Sequence, residues 1–317
     1  MTSTEERGVA QTPAADPELR LTAYVFERAF GAAPVTVRRA RGGLTLLSGP
    51  GASLAVALPW GATVAAGPGE DGTAELFSMN LHGEHFFFNE ETRPDDIPSW
   101  AEPAVTALRA RSGPIPGVRL VTNGELPAET GLLSGGEMAC AVGLALGDLY
   151  GPEHAAASVR DPAHAVSLAA REAHAVLTTG DGARTMAGGP VPCDLAGAGL
   201  RLMIMDVAAA ATASPPAPLP GLVERAAAAL DAGDPAALGP LLTEARTRQG
   251  VLPDRVLDAA LDTARAAGAL GGLAIGRCAV ALVPMAVVPR VRAEVTARLA
   301  GSAQRPPRFL TVVPAGA

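Results

Sequence analysis

The sequence predicts an α+β protein made of two α+β domains, on three observations. Residues 118–149 read as strand, glycine loop and helix. Val118, Leu120 and Thr122 alternate as in a half-buried strand, and Met138, Val142, Ala145 and Leu149 recur at helical spacing. Residues 35–88 hold short apolar alternations broken by glycine and proline, the pattern of a strand-rich region. Beyond a turn-rich stretch at 180–192, strand-like and helix-like periods alternate again to the end. The chain therefore divides into a disordered lead at 1–15, an N-terminal domain at 16–190 and a C-terminal domain at 191–317.

Taken in order, Asp16-Pro17 is an N-cap followed by proline at the first helical position. Leu19, Thr22, Phe26 and Phe30 then mark one face of a helix that ends at Gly31. Val35/Val37, Leu44/Leu46 and Leu54/Val56/Leu58 alternate as strands, and 74–78 and 84–88 are further strand candidates. Ser99-Trp-Ala-Glu102 has the capping-box spacing and predicts a helix with Trp100, Ala104 and Leu108 inward, weakened in its first turn by Pro103. The Ala- and His-rich stretch 153–179 reads as helical and 180–192 as a loop. Leu200–Asp206 is a strong strand, and Ser214–Pro220 a proline-rich break. Short helices follow around Asp231–Asp234. A longer one starts at Asp254 with Leu257, Leu261 and Ala264 inward. Strands at 279–283 and 309–313 flank a helix carrying Val291, Val295 and Leu299.

Composition narrows the classes of function. The 317 residues are 48% hydrophobic and 18% charged, which is a globular balance with a sizeable core. The longest apolar run, 273–288, is interrupted by Arg277 and Pro284, and the first residues are polar. No membrane partner and a cytoplasmic location are expected. Net charge is −7 and no basic cluster exceeds 38–41, so nucleic acid is not an expected partner. All 25 basic residues are Arg, in keeping with a GC-rich genome, and no mechanism here can use a lysine base or a P-loop lysine. Cys140, Cys193 and Cys278 are too few and too widely spaced for a disulfide framework or a zinc site.

Several stretches, in order, resemble the galactokinases of the galactose, homoserine, mevalonate and phosphomevalonate (GHMP) kinase superfamily. Phe26–Pro34 resembles the opening F-x-x-x-F-G-x-x-P, and Ser99-Trp100 the S-W-x-x-Y-x-x-G helix. Pro127–Cys140 resembles the phosphate loop P-x-G-x-G-L-S-S-S-A-A-L-E. Cys193–Leu202 resembles F-D-L-x-x-x-G-L-x-L, and 227–242 resembles A-x-x-x-G-D-x-x-x-F-G-x-L-M. Gly268–Leu282 resembles the glycine-rich third motif, and Val313–Ala317 the P-x-x-G-A tail. The resemblance implies two α+β domains with a cleft between them, and an ATP- and Mg-dependent small-molecule kinase. Its nucleotide contacts would be Gly131, Leu132, Ser134, Gly135, Gly136 and Arg277, with Ser134 as the Mg²⁺ ligand.

The departures bear on activity. The family signature G-R-V-N-L-I-G-E-H-T-D-Y-N falls on Gly42–Pro50, where the catalytic Arg becomes Gly43 and the sugar-contacting Glu and His become Gly49 and Pro50. Asn80-Leu-His-Gly-Glu-His85 mimics that signature, but it lies 15 residues before Trp100, where the family has several strands. A surface strand is the plainer reading. The G-I-M-D-Q segment that carries the family's base has no counterpart in 171–192. Asp181, in a Gly-Asp-Gly turn, and Asp194, aligned with a structural Asp, are the available carboxylates, so no catalytic residue is assigned. The third motif is one residue shorter, with Arg277 among its glycines; it would bind an anion or pair with a carboxylate.

In the loop itself, Leu133 and Gly135 replace two family serines, and Glu129 and Glu137 add charge. Ser134-Gly-Gly-Glu137 is a capping box, in which Ser134 would accept the N–H of Glu137 and Glu137 the N–H of Ser134. Such an anion already draws the helix dipole, worth roughly 0.3–1 kcal/mol, and meets a triphosphate with like charge. His82 and His85 fall on opposite faces of a strand. His154, His164 and His174 are ten apart, about 80° out of line on a helix, so neither set makes a metal site. The leading expectation is a non-catalytic binding or regulatory protein with no cofactor, serving a protein partner or a small-molecule ligand. The alternatives are an active kinase with a changed acceptor, using ATP and Mg, or reuse of the cleft for another biosynthetic reaction.

Overall fold

The computed structural model describes residues 16–81, 83–110, 113–115, 117–155, 162–179, 187–210, 218–249, 254–301 and 305–316. The expected lead at 1–15, His82, Asp181 and residues 214–217 of the proline-rich break lie outside them. The chain forms two compact units interleaved in sequence. One comprises the described residues of Met1–Arg39, Ala62–Gly124 and Ala141–Ala157. The other comprises those of Ala40–Gly61, Glu125–Cys140 and Ser158–Ala317.

The first unit begins with α1 (Pro17–Phe30). Asp16 caps it by accepting from the N–H of Glu18, and Gly31 closes it in the left-handed region at φ 72°. Leu19 and Phe26 bury beside Val37, Ala65 and Val121. Two long strands, β1 (Thr36–Gly49) and β2 (Ala52–Pro68), contribute residues to both units. The glycines and prolines that punctuate 35–68 in the sequence do not interrupt them: Gly42, Gly43, Pro59 and Gly61 all lie within strand. In this unit β4 (His85–Phe88) pairs antiparallel with β3 (Ala74–Ser78), which pairs parallel with β5 (Val118–Gly124), which pairs antiparallel with Ala62–Pro68 of β2. The helix α2 starts at Glu102 rather than after Ser99, buries Ala104 and Leu108, and leaves Trp100 ahead of it. Asp148, on α3 (Gly136–Tyr150), takes Arg38 Nε at 2.6 Å and Nη2 at 2.5 Å. Burial works to raise the Asp148 carboxyl, but its bonds to Arg38 and Thr36 prevail and hold it below the usual range.

In the second unit, Ala52–Val56 of β2 pairs antiparallel with β6 (His174–Thr179), which pairs with β7 (Ala187–Pro192). Both strands correct the sequence reading, which made 153–179 helical and 180–192 a loop. Among the described residues of this stretch helix exists at α4 (Pro152–Ala155) and α5 (Pro162–Ala169), while β6, with β-branched Val176, Thr178 and Thr179, finds a ladder partner in β2. The Gly- and Pro-rich β7 survives as the strand beyond it. A four-stranded antiparallel sheet runs in the order β11 (Arg308–Val312), β8 (Leu200–Asp206), β10 (Cys278–Pro284), β9 (Gly271–Ile275). The strand β9, inside the glycine-rich motif, is a further addition to the sequence reading. Against this sheet lie α6 (Leu222–Asp231), α7 (Leu238–Gln249), α8 (Arg255–Ala266) and α9 (Val288–Leu299). Asp254 caps α8, which buries Leu257, Leu261 and Ala264. Among the described residues no helix is long and apolar enough to cross a membrane.

Candidate functional site

The chain leaves β5 through Pro127, makes a single 3₁₀ turn at Ala128–Thr130 and turns left-handed at Gly131 (φ 63°). It then buries Leu132 in the second unit's core, turns again at Gly135 (φ 89°) and enters α3 at Gly136. Only glycine accepts both left-handed positions at no steric cost, which is why the loop needs them. Thr130 is the anchor that sequence reasoning missed. Its Oγ1 donates to Pro127 O at 2.8 Å, and its carbonyl receives the Arg277 N–H at 2.7 Å. Alongside, Gly276 turns left-handed at φ 58°, where a Cβ would stand 2.2 Å from Thr130 O. The third glycine motif is thus pressed backbone to backbone against the loop.

Of the five loop residues expected at the phosphate, four have backbone N–H groups engaged inside the loop. Gly131 N–H donates to Ala128 O at 3.1 Å and Leu132 N–H to Thr130 Oγ1 at 3.4 Å. Gly135 N–H donates to Glu137 Oε1 at 3.2 Å, and Gly136 N–H to Ser134 Oγ at 3.3 Å. Ser134 and Glu137 thus both take backbone N–H groups of the loop itself, Ser134 from Gly136 and Glu137 from Gly135, which is left-handed. Glu137 is only 5% exposed. Burial, and then the charge of Glu137, push the Cys140 thiol up to about 12.

The remaining candidates are dispersed. Arg277 lies beside the loop through its backbone. Its Nη2 donates to Ala210 O at 3.3 Å, and among the described residues no carboxylate pairs with it. Arg41 Nε reaches Gly316 O at 3.1 Å and its Nη1 donates to Pro59 O. Asp194 Oδ1 accepts the Gly197 N–H at 2.7 Å and so closes its own turn. In the string that mimics the family signature, Glu84 takes the Trp100 indole at 3.1 Å. His85 Nδ1 sits 3.3 Å from Glu75, its ring edge-on to Phe77. His174 lies in a strand, with Nδ1 2.8 Å from Glu172 O. Burial leads in pushing Cys193 and Cys278 up to about 12, with Asp194 and Asp206 adding to it.

Residues 99–189 match the family model described as GHMP kinases N terminal domain. The fold is similar to Lactococcus lactis galactokinase solved with galactose, at a TM-score of 0.75 and 18% identity over 94% of this chain and 99% of that one. It is also similar to mevalonate diphosphate decarboxylase from Staphylococcus aureus (TM-score 0.60, 14% identity, 88% and 96% of the two chains). Methanococcus jannaschii mevalonate kinase is a third likeness (0.54, 12%, 87% and 97%). No curated protein matches the chain in sequence.

Proposed function

We propose that this chain, a galactokinase-like member of the GHMP kinase superfamily by its matched segment and its fold, is a non-catalytic binding or regulatory protein of the cytoplasm that has lost sugar phosphorylation. The observation that carries this reading is the loop before α3. The backbone donors of Gly131, Leu132, Gly135 and Gly136 are satisfied internally, one of them by the buried carboxylate of Glu137. Relatives of this superfamily use ATP and Mg²⁺. The residues present here do not fit a triphosphate, because it would have to displace Glu137 and then share the helix end with it. The Ser134 hydroxyl expected to hold the metal accepts from Gly136. Phosphoryl transfer is positioning plus charge stabilisation, and Gly43, Gly49 and Pro50 supply no side chain for either task.

The fold does not decide the matter, since a decarboxylase shares it with the kinases. A second reading, an active kinase with a changed acceptor, rests on the matched segment and the retained Ser134; it requires Glu137 to leave the loop when Mg-ATP arrives. The two separate in an assay of ATP consumption by the purified protein with galactose and a panel of sugar and polyol acceptors. The non-catalytic reading predicts no acceptor-dependent ADP. Turnover that Ser134→Ala abolishes would establish the kinase instead.

A further inference from the structure

A cavity of about 350 Å³ opens in the second unit between the end of β8, the turn joining β9 to β10, and the outer edge of the loop. Two arginines line it. Arg277 gives Nη2 to Ala210 O at 3.3 Å, and Arg305 gives Nη2 to Asp206 Oδ2 at 2.5 Å. Arg277 Nε and Arg305 Nη1 are shielded from solvent and have no hydrogen-bond partner among the described residues. A guanidinium N–H removed from water without an acceptor is costly, and such groups are rare in folded proteins. Asp206 does not bond to either of them: its Oδ1 accepts the Ala208 N–H at 3.1 Å and its Oδ2 accepts from Arg305 Nη2.

The wall between the arginines is strained. Ala208 sits left-handed at φ 54°, a conformation a residue with a Cβ rarely adopts, and Asp206 holds it there. Strain that its surroundings enforce clusters at ligand sites. Ala208, Ala209 and Ala210 give this wall methyl groups and no side-chain donors.

We propose that this cavity binds a small organic carboxylate, its acid group pairing with the Arg277 and Arg305 guanidinium groups that line it and its apolar body lying on the alanine wall. The inference rests on the non-catalytic reading in one respect: it names a small-molecule ligand for a protein that does not turn one over. Charge selects the class. Arg277 and Arg305 face Asp206 and Glu129 in the same cavity, so the lining is neutral before a ligand arrives. A monoanion meets two guanidinium groups there, whereas a phosphate dianion or a triphosphate also brings its second charge against two carboxylates. The volume suits a molecule of a few carbons, at the low end of ligand pockets.

The test is calorimetric and thermal-shift titration of the intact protein with isobutyrate, lactate and inorganic phosphate, against sodium chloride at equal ionic strength. Isobutyrate or lactate should bind saturably, and phosphate should not exceed the chloride control. Arg277→Gln should weaken carboxylate binding about tenfold or more, as loss of a charge-assisted bond does. Ala210→Leu, which fills the cavity from an exposed wall position, should weaken it as much while leaving the circular dichroism unchanged, so a poorly folding Arg277 variant does not decide the outcome. No carboxylate binding up to about 10 mM, weaker than any specific affinity for such a site, would overturn the proposal. Binding unchanged by both substitutions would overturn it as well. A parallel assay of ADP release keeps the two ideas apart. Turnover of ATP sinks the non-catalytic reading whatever isobutyrate does, and an inert protein that ignores both carboxylates sinks this inference alone.

Discussion

Two regions of the second unit handle backbone and side-chain N–H groups in opposite ways. At the start of α3 the donors are closed off: Gly135 and Gly136 give their N–H groups to Glu137 and Ser134, both from the same turn. Across Gly276, at the cavity beside β8, donors are left over: Arg277 Nε and Arg305 Nη1 are shielded and find no acceptor among the described residues. The two regions touch through the Arg277 N–H bond to Thr130 O and the close approach of Gly276 to the same carbonyl. On the proposed reading, a loop that carries its own anion has no need of a phosphate. Where a new arginine enters without a partner, a need has been created. Reading function from this molecule means following the unsatisfied donors rather than the motif that resembles a site.

The comparison breaks most severely at Gly276, which holds the two regions together. Gly276→Val would put a branched side chain 2.2 Å from Thr130 O at a left-handed position, and should cost at least about 3 kcal/mol, lowering Tm by roughly 5–10 °C. Next comes Glu137→Ala, which strips the loop of its internal anion and leaves the Gly135 N–H without its acceptor. A loss of about 1–3 kcal/mol is expected in urea melts. Ser134→Ala removes only an exposed cap and should cost about 0.5–1 kcal/mol, without any change in affinity for carboxylates.

The smallest effect is kinetic. Cys140 lies below the closed loop and Cys278 directly follows Arg277, and both thiols are pushed up to about 12 from 9.0. Alkylation by iodoacetamide at pH 8 should be slow at both, and Glu137→Ala should accelerate Cys140 alone. The sign for stability follows from linkage. An unfolded thiol ionises from about 9 while the folded one stays neutral, so stability is unaffected below pH 9 and falls as pH rises from 9 toward 12. Urea midpoints measured across that window check this.

Local chemistry made much of this fold legible. Asp16 and Asp254 announce their helices because a capping carboxylate acts within two residues, and Leu200–Asp206 shows itself through the apolar run Leu202-Met-Ile-Met205. The strands β6, β7 and β9 stayed hidden because what makes them strands is a ladder partner outside the segment, such as Leu54 opposite Leu177 for β6 or Val280 opposite Leu273 for β9; β7 and β9 are in addition rich in Ala, Gly and Pro. The loop was legible as a self-capping segment, but its hydrogen-bond pairs depend on the left-handed Gly135, which no spacing rule carries. Arg277 stood out as a charge in an apolar run. Arg305 and Asp206 gave no signal, since their pairing joins strand ends 99 residues apart.

The most direct test of the central claim is calorimetric titration of the intact protein with Mg-ATP, with Mg-ADP and metal-free ATP as controls. A loop closed by Glu137 predicts no saturable heat and no thermal shift at millimolar nucleotide. A Mg-dependent, saturable binding isotherm that Ser134→Ala abolishes would show that the loop opens to nucleotide, and would contradict the account.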